Sequence, residues 1–306
     1  MQIYRGLHVI EAPFENGRTI NLYLFRGRRH LLVDSGVVNV PTETVIPYLR
    51  EAGLAPTELT MLVNLHAHAD HVGGNGELWA ASGETLRIAA HNLDAPAIAD
   101  HRRLARVVYG IPESDIERTE TLLRRLGAEA PVHMRLQGGE VLDLEGIELQ
   151  VIHAPGHTAG NIALYHRRER TLIHGETLMP VPAPDEEGLR ATPFGDDPWS
   201  YRRTLRRLGT LDVRQLLSSH AQPVDKGGFT RWIQEATTAL DEYDAACRAA
   251  LAQGISGIEE MAAAVAAEGR YRDDPLLRTQ VARTLHDWVL AGRAEKTPVG
   301  GYRLSG

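Results

Sequence analysis

The order of apolar runs and turns along this 306-residue chain predicts a mixed α/β domain followed by a helical extension. Three observations carry that class. Short apolar runs bounded by tight, charged turns recur as far as Ser218, which is the pattern of strands. Stretches with three-to-four apolar spacing lie between several of them, as in α/β proteins. Beyond Pro223 the strand signal gives way to helical periodicity.

Ile20 to Phe25 and Leu31 to Val33 flank the charged turn Arg26-Gly27-Arg28-Arg29-His30, a hairpin that Asp34-Ser35-Gly36 closes. Thr42 to Ala52 reads as a helix, with Thr at its start, Val45, Ile46 and Leu49 on one face, and Gly53 at its end. Leu59 to Leu65 is a buried strand that runs directly into His66. Residues 92–126 are polar, with Arg/Glu pairs and a break at Gly110-Ile111-Pro112, and read as a helical insertion. Strands resume at Glu140 to Leu144 and Ile147 to His153, then at Asn161 to His166 and Thr171 to His174. A Pro-rich loop from Pro180 to Pro198, a helix from Trp199 to Leu208 and a strand from Val213 to Ser218 complete a domain of residues 1–226. In residues 227–306, Phe229, Trp232, Ile233, Ala236, Leu240, Tyr243 and Cys247 form a helical stripe. Two further helices are expected at Ile258 to Glu268 and Leu276 to Ala291, then a strand-turn-strand from Ala294 to Leu304. Three helices ahead of a two-stranded hairpin outline a winged helix.

Composition narrows the function. Hydrophobic residues make up 43% and charged residues 24%, enough apolar content for a sizeable core. A net charge of -7 argues against general nucleic-acid binding, which needs a broad basic face. The single cysteine, Cys247, excludes intramolecular disulfides and any multi-cysteine zinc cage. Met1 to Gly6 lacks the basic and apolar stretches of a secretory signal, and no apolar run approaches the roughly 20 residues that cross a bilayer. A cytoplasmic protein without a membrane partner is expected.

The strongest chemical signal is Asn64-Leu65-His66-Ala67-His68-Ala69-Asp70-His71-Val72-Gly73-Gly74. Four side chains able to ligate a metal fall within six positions, 66 to 71, at the end of a strand. Strand alternation would send His66, His68 and Asp70 to one side, with His71 swinging to a neighbouring position. Small Ala67 and Ala69 leave room for ions. Imidazole and carboxylate suit zinc, and iron or manganese accept the same set. Three later segments each place a ligand type after a strand: Pro155-Gly156-His157-Thr158, His174-Gly175-Glu176-Thr177 and Ser218-Ser219-His220.

In this order and spacing the motifs resemble the metallo-β-lactamase superfamily, from about Leu22 to Pro223. The resemblance implies an αββα sandwich, with two facing mixed sheets and metals at one edge. It also implies two divalent ions. His66, His68 and His157 would hold the first, and Asp70, His71 and His220 the second. The family's bridging ligand is an Asp, and Glu176 stands in that place here, one methylene longer. Asp34, in the early strand-end turn, is then structural. Two cations beside a shared water lower its pKa from ~15.7 toward ~7, which gives hydroxide without a serine or cysteine nucleophile. Asp70 would orient that water and accept its proton.

Residues flanking the site would choose the substrate. Tyr109, Phe194, Trp199 and Tyr201 are candidate apolar walls or core, and Arg102, Arg103 and Arg106 a candidate anion handle or a solvated face. His153 and His174 stand beside the motifs and point away by strand alternation. The C-terminal region resembles the branch related to β-lactamase-like protein 2. The expectation is hydrolysis of an ester-like acyl bond in a small-molecule or acyl-carrier-linked substrate, thioester first and lactone second. RNA phosphodiester hydrolysis is the alternative within hydrolases, and a diiron redox or oxygen-using enzyme the alternative outside them. The tail would cover the site or pack in a homodimer.

Overall fold

The computed structural model describes residues 1–14, 17–192, 194–298 and 300–305. They divide into two compact units that interleave along the chain. The first holds Met1–Ala154, Thr158–Glu176 and Val213–Pro223, and the second Pro155–His157, Thr177–Asp212 and Val224–Gly306.

The first unit has two sheets. One orders β1 (Gln2–Tyr4), β2 (Leu7–Pro13), β3 (Thr19–Arg26), β4 (His30–Val33), β5 (Leu59–Val63), β6 (Arg87–His91) and β7 (Met134–Leu136) as numbered. Its first four strands pair antiparallel and β4 to β7 parallel. The other contains β8 (Val141–Asp143), β9 (Glu148–His153), β10 (Ile162–His166), β11 (Thr171–His174) and β12 (Gln215–Ser218), in the order β12-β11-β10-β9-β8. Of these strands, only β11 and β12 run parallel.

Alternation explains how the sheets meet. Tyr23, Phe25, Leu31, Val33 and Val63 of the first sheet share one core with Leu149, Val151, Ile162, Leu164, Ile173 and Leu217 of the second. The intervening residues Leu22, Leu24, Leu32 and Leu62 face the other way, onto Val45, Leu49 and Leu78. Those come from a π-turn at Pro41–Val45, from α1 (Ile46–Glu51), and from a helix that follows α2 (Ala69–Val72), namely α3 (Asn75–Ala81). Each fully buried aliphatic side chain contributes about 1.5–3 kcal/mol, so a one-residue slip would forfeit both layers at once.

The insertion forms three short helices: α4 (Ala95–Ile98), α5 (His101–Val107) and α6 (Ile116–Leu123). The expected break falls between α5 and α6. Ile98, Leu104 and Leu122 pack with Ala67, Ala69 and Val72, so the insertion rests on the ligand-bearing segment.

The second unit comprises α7 (Pro198–Leu208), the short β13 (Val224–Asp225), the 27-residue α8 (Lys226–Ala252), α9 (Ile258–Gly269), α10 (Pro275–Leu290), β14 (Ala294–Lys296) and β15 (Tyr302–Leu304). Asp197, Asp225 and Asp274 cap α7, α8 and α10 by accepting backbone N–H bonds. Leu277, Val281, Leu285 and Trp288 are buried along one face of α10, and the Tyr243 hydroxyl meets Thr284 Oγ1 at 3.1 Å. Arg202 of α7 pairs with Asp241 and Asp244 of α8. The Pro-rich loop is tied into this unit too: buried Gln280 donates to the carbonyls of Phe194 and Gly195 at 2.9 and 3.0 Å. No described helix is long and apolar enough to cross a membrane.

Candidate metal centre

β5 stops at Val63, and His66 and His68 lie on a bent segment rather than on a continuing strand. His68 is the N-cap of α2, whose first turn carries Asp70 and His71. The strand alternation expected for His66, His68 and Asp70 gives way to a bend and a helical turn. The turn sets successive side chains about 100° apart, so Asp70 and His71 both face one cavity, His71 swinging beside Asp70 as expected. Glu176 arrives two residues past β11 and His220 two past β12, at the same ends of the strands.

The side chains converge. His71 Nε2 lies 3.5 Å from Asp70 Oδ2 and 3.3 Å from Glu176 Oε2. His220 Nε2 lies 3.0 Å from Asp70 Oδ2, 3.1 Å from Glu176 Oε1 and 3.4 Å from His71 Nε2. Ligand atoms of these four residues all lie within 4.8 Å of one another. The same Glu176 Oε2 lies 3.4 Å from His66 Nε2, which is 3.0 Å from His68 Nδ1. Ligands about 2.1 Å from a tetrahedral zinc stand about 3.4 Å apart, the spacing seen here. His71 Nε2 and His220 Nε2, 3.4 Å apart, are farther apart than an ordinary N–H hydrogen bond and at the spacing of two ligands on one cation. The donor set fits divalent metal.

Supporting contacts fix the ligands. His71 Nδ1 bonds Asp34 Oδ2 at 2.7 Å, leaving Nε2 to face the cavity. Asp34 Oδ1 accepts from Leu65 N at 2.8 Å, and its backbone sits at φ 61°. Ser35 Oγ and Asn64 Nδ2 both donate to the His71 carbonyl, each at 3.1 Å. Gly175 lets the backbone pass close to the ligands: a Cβ there would press on them, 3.0 Å from His66 Nδ1 and 3.3 Å from His71 Cε1.

The electrostatics favour cations. Burial opposes charge on His220, but its hydrogen bonds to Asp70 and Glu176 push it up to about 9. Burial likewise opposes charge on His71, and Glu176, Asp34 and Asp70 overcome it, raising it well above the usual histidine range. His68 is lowered by burial. Metal would displace the protons that these carboxylates draw onto His71 and His220.

His157 lies in the second unit's Pro155–His157 segment, where Gly195 comes so close that a Cβ on it would meet His157 Cα at 2.2 Å. His153 stacks on His91 with ring centroids 4.0 Å apart, and His174 is fully buried at the end of β11. Arg102 and Arg106 pair with Glu120 and Glu113 on the exposed insertion surface. Phe194 and Tyr201 are buried core residues, while the Tyr109 hydroxyl accepts the Ala69 N–H at 2.9 Å.

Sequence reasoning missed Phe14, Arg18 and Asp94. The Phe14 ring stands 5.9 Å from that of His220, and the Arg18 guanidinium lies over Phe14 at 4.7 Å. Asp94 is buried and bonds backbone and hydroxyl groups next to the ligand motifs. Phe14-Glu15-Asn16-Gly17-Arg18 reads as an ordinary hairpin loop, so nothing in sequence flags it.

The model of the metallo-β-lactamase superfamily matches residues 16–220. Among curated proteins, a probable metallo-hydrolase, YqjP, of Bacillus subtilis is 24% identical over 70% of each chain. The human acyl-coenzyme A thioesterase MBLAC2 is 28% identical over 55% of this chain and 61% of its own length. A metallo-β-lactamase family protein from Thermus thermophilus shares the fold, with TM-score 0.68 and 23% identity over 99% of both chains.

Proposed function

Because the chain belongs to the metallo-β-lactamase superfamily, a superfamily of metal-dependent hydrolases, we propose that it is a two-metal hydrolase of ester-like acyl bonds, thioesters first and lactones second. One observation carries the reading: the Glu176 carboxylate lies against histidines of both donor groups, Oε2 beside His66 of the first and His71 of the second, and Oε1 beside His220 of the second. A carboxylate so placed can bridge two ions, as Glu does in di-iron bundles. His66, His68 and His157 would hold the first ion, and Asp70, His71 and His220 the second. Zinc is the preferred metal, and iron or manganese fit the same donors.

When bound, the ions supply Lewis acidity and bring the pKa of water toward ~7. The protein's own part is orientation and proton handling. Asp70, an acceptor at 3.0 Å from His220 Nε2 whose side chain still reaches solvent, is placed to orient the attacking water and take its proton. Asp34 holds His71 in one tautomer by accepting from Nδ1. Asp70, Glu176 and His220 keep 12%, 15% and 17% of their side chains open to solvent, while His66 and His71 have none. The exposed members mark the side from which substrate would enter.

Phe14 offers apolar surface to an acyl group, and Arg18 a cation for an anionic carrier. The MBLAC2 relative, named as an acyl-coenzyme A thioesterase, supports that substrate class. The test is metal content together with a panel of acyl thioesters, lactones, nitrocefin and structured RNA. Thioester turnover should exceed that of nitrocefin and RNA, and it should vanish on metal removal. Full activity in metal-free protein refutes the reading. Cleavage of RNA with no thioester or lactone turnover replaces it with phosphodiester hydrolysis.

A further inference from the structure

Within the first unit, different supports tie the backbone beside the two donor groups. Around the second group, the supports come from the sandwich. Asp34 follows β4 and bonds His71. Asn21 and Tyr23 of β3 donate to the Ser218 carbonyl at 3.1 and 2.7 Å, and Asn21 also to that of Ala221, pinning the turn that carries His220.

Around the first group, the supports come from the insertion. Buried Asp94, just ahead of α4, accepts from Ala67 N at 3.2 Å, between His66 and His68. The same carboxylate accepts from Thr158 Oγ1 and Gly160 N, both at 2.8 Å, in the turn that directly follows His157. Gly160 has to be glycine for that approach, since a Cβ would fall 2.4 Å from the Asp94 carboxylate. On the far side of His68, Ala69 N donates to the Tyr109 hydroxyl at 2.9 Å, and the Tyr109 ring lies 5.2 Å from that of His68. The residues on both sides of His68 are thus gripped by insertion side chains, one of which also grips the turn after His157.

We infer that the helical insertion sets the geometry of the first metal site through the positioning residue Asp94, whose carboxylate ties the backbone between His66 and His68 to the turn after His157. This rests on the two-ion reading above. Two backbone segments far apart in sequence, one at Ala67 and one just after His157, are joined at one point by the Ile162 N–H donating to the Leu65 carbonyl at 2.8 Å. The buried Asp94 carboxylate, with donors from both, adds a second tie closer to the ligand side chains.

The experiment titrates metal-free protein with Zn2+ in competition with a chromophoric chelator, resolving two constants. His66→Ala and His220→Ala identify which constant belongs to which site. Asp94→Asn keeps the side chain's shape but cannot accept from all three donors. It should weaken the first site about 10–100-fold, as loss of a ligand's outer partner does, and leave the second essentially unchanged. Asp34→Asn, which loosens both His71 Nδ1 and the Leu65 N–H beside His66, should lower both constants. A carboxylate that merely supported the fold would lower both constants together, or lower only the melting temperature of metal-free protein. Either result, or an unchanged first constant, overturns the inference. If Asp94→Asn does not fold, Thr158→Val, which removes one donor to the same carboxylate, decides by the same criterion. Wild-type protein that binds no metal refutes the two-ion reading itself, an outcome distinct from any pattern among the variants.

Discussion

Replacing Glu176 by Gln keeps the reach and planar shape of the side chain and removes one negative charge. In the structure Oε1 lies 3.1 Å from His220 Nε2, while Oε2 lies 3.4 Å from His66 Nε2 and 3.3 Å from His71 Nε2. The carboxylate lies against histidines of both donor groups, and an amide offers one oxygen in place of two. Its NH2 has no lone pair to give a metal. Losing one charged contact costs about 3 kcal/mol, on the order of 10²-fold in affinity for the ion left short of a ligand. Glu176→Asp keeps both oxygens and the charge but falls back by about 1.5 Å, so it should strain both sites and lose less. Elemental analysis after dialysis against chelators of graded strength, with turnover on the best thioester, measures both effects. Glu176→Gln should retain roughly one ion where wild type retains two, and lose far more activity than Glu176→Asp. Equal metal content and rate in Glu176→Gln and wild type would remove Glu176 from the centre.

Acid should destabilise the protein partly through His91. Burial, with His153 stacked against it, pushes His91 down to about 4, so it stays neutral when folded and takes up a proton when unfolded. The unfolded state then binds more protons between about 6.5 and 4, and stability falls as pH drops through that window; denaturant melts of His91→Phe should show a shallower fall, and an unchanged slope would rule the group out. In the second unit, truncation after Gly254 strips α9 and α10 from α8 and exposes its Tyr243 and Cys247 face, so aggregation is expected, and a truncated protein that stays soluble and monodisperse in gel filtration would show that face to be covered otherwise. Trp288→Ala, at a side chain 1% exposed, should cost about 3–5 kcal/mol in a thermal or denaturant melt; a loss below half that would show the helix to be loosely packed.

The site was legible where its ligands cluster. His66, His68, Asp70 and His71 announce themselves by spacing, and Glu176 and His220 by standing just past strong strands. Asp94 was not, because its bonding partners are 27, 64 and 66 residues away and a lone Asp ahead of a helix reads as a cap. Many strands were equally plain, including the hairpin of β3 and β4. Others escaped notice. β6 carries Ala89 and Ala90 where strands favour branched residues; flanked by β5 and β7, it is held by pairing and burial rather than by propensity. β7 spans three residues, Met134–Leu136, too few to show a period. β1 and β2 interrupt their apolar residues with His8 and Glu11, and they gain their place by pairing along β3.

The interleaving of the two units has a consequence for how the protein can be made. β12, which carries the chain to His220, pairs parallel with β11, but residues 177–212 between them belong to the other unit. A ribosome must therefore deliver that whole excursion before the second sheet can add β12. Closing so long a loop costs entropy before any contact rewards it, which places assembly of the His71–His220 pair late in folding. No single cut yields both units intact. Tight metal uptake would then serve as a reporter of completed folding, absent from nascent chains and from any fragment ending before β12.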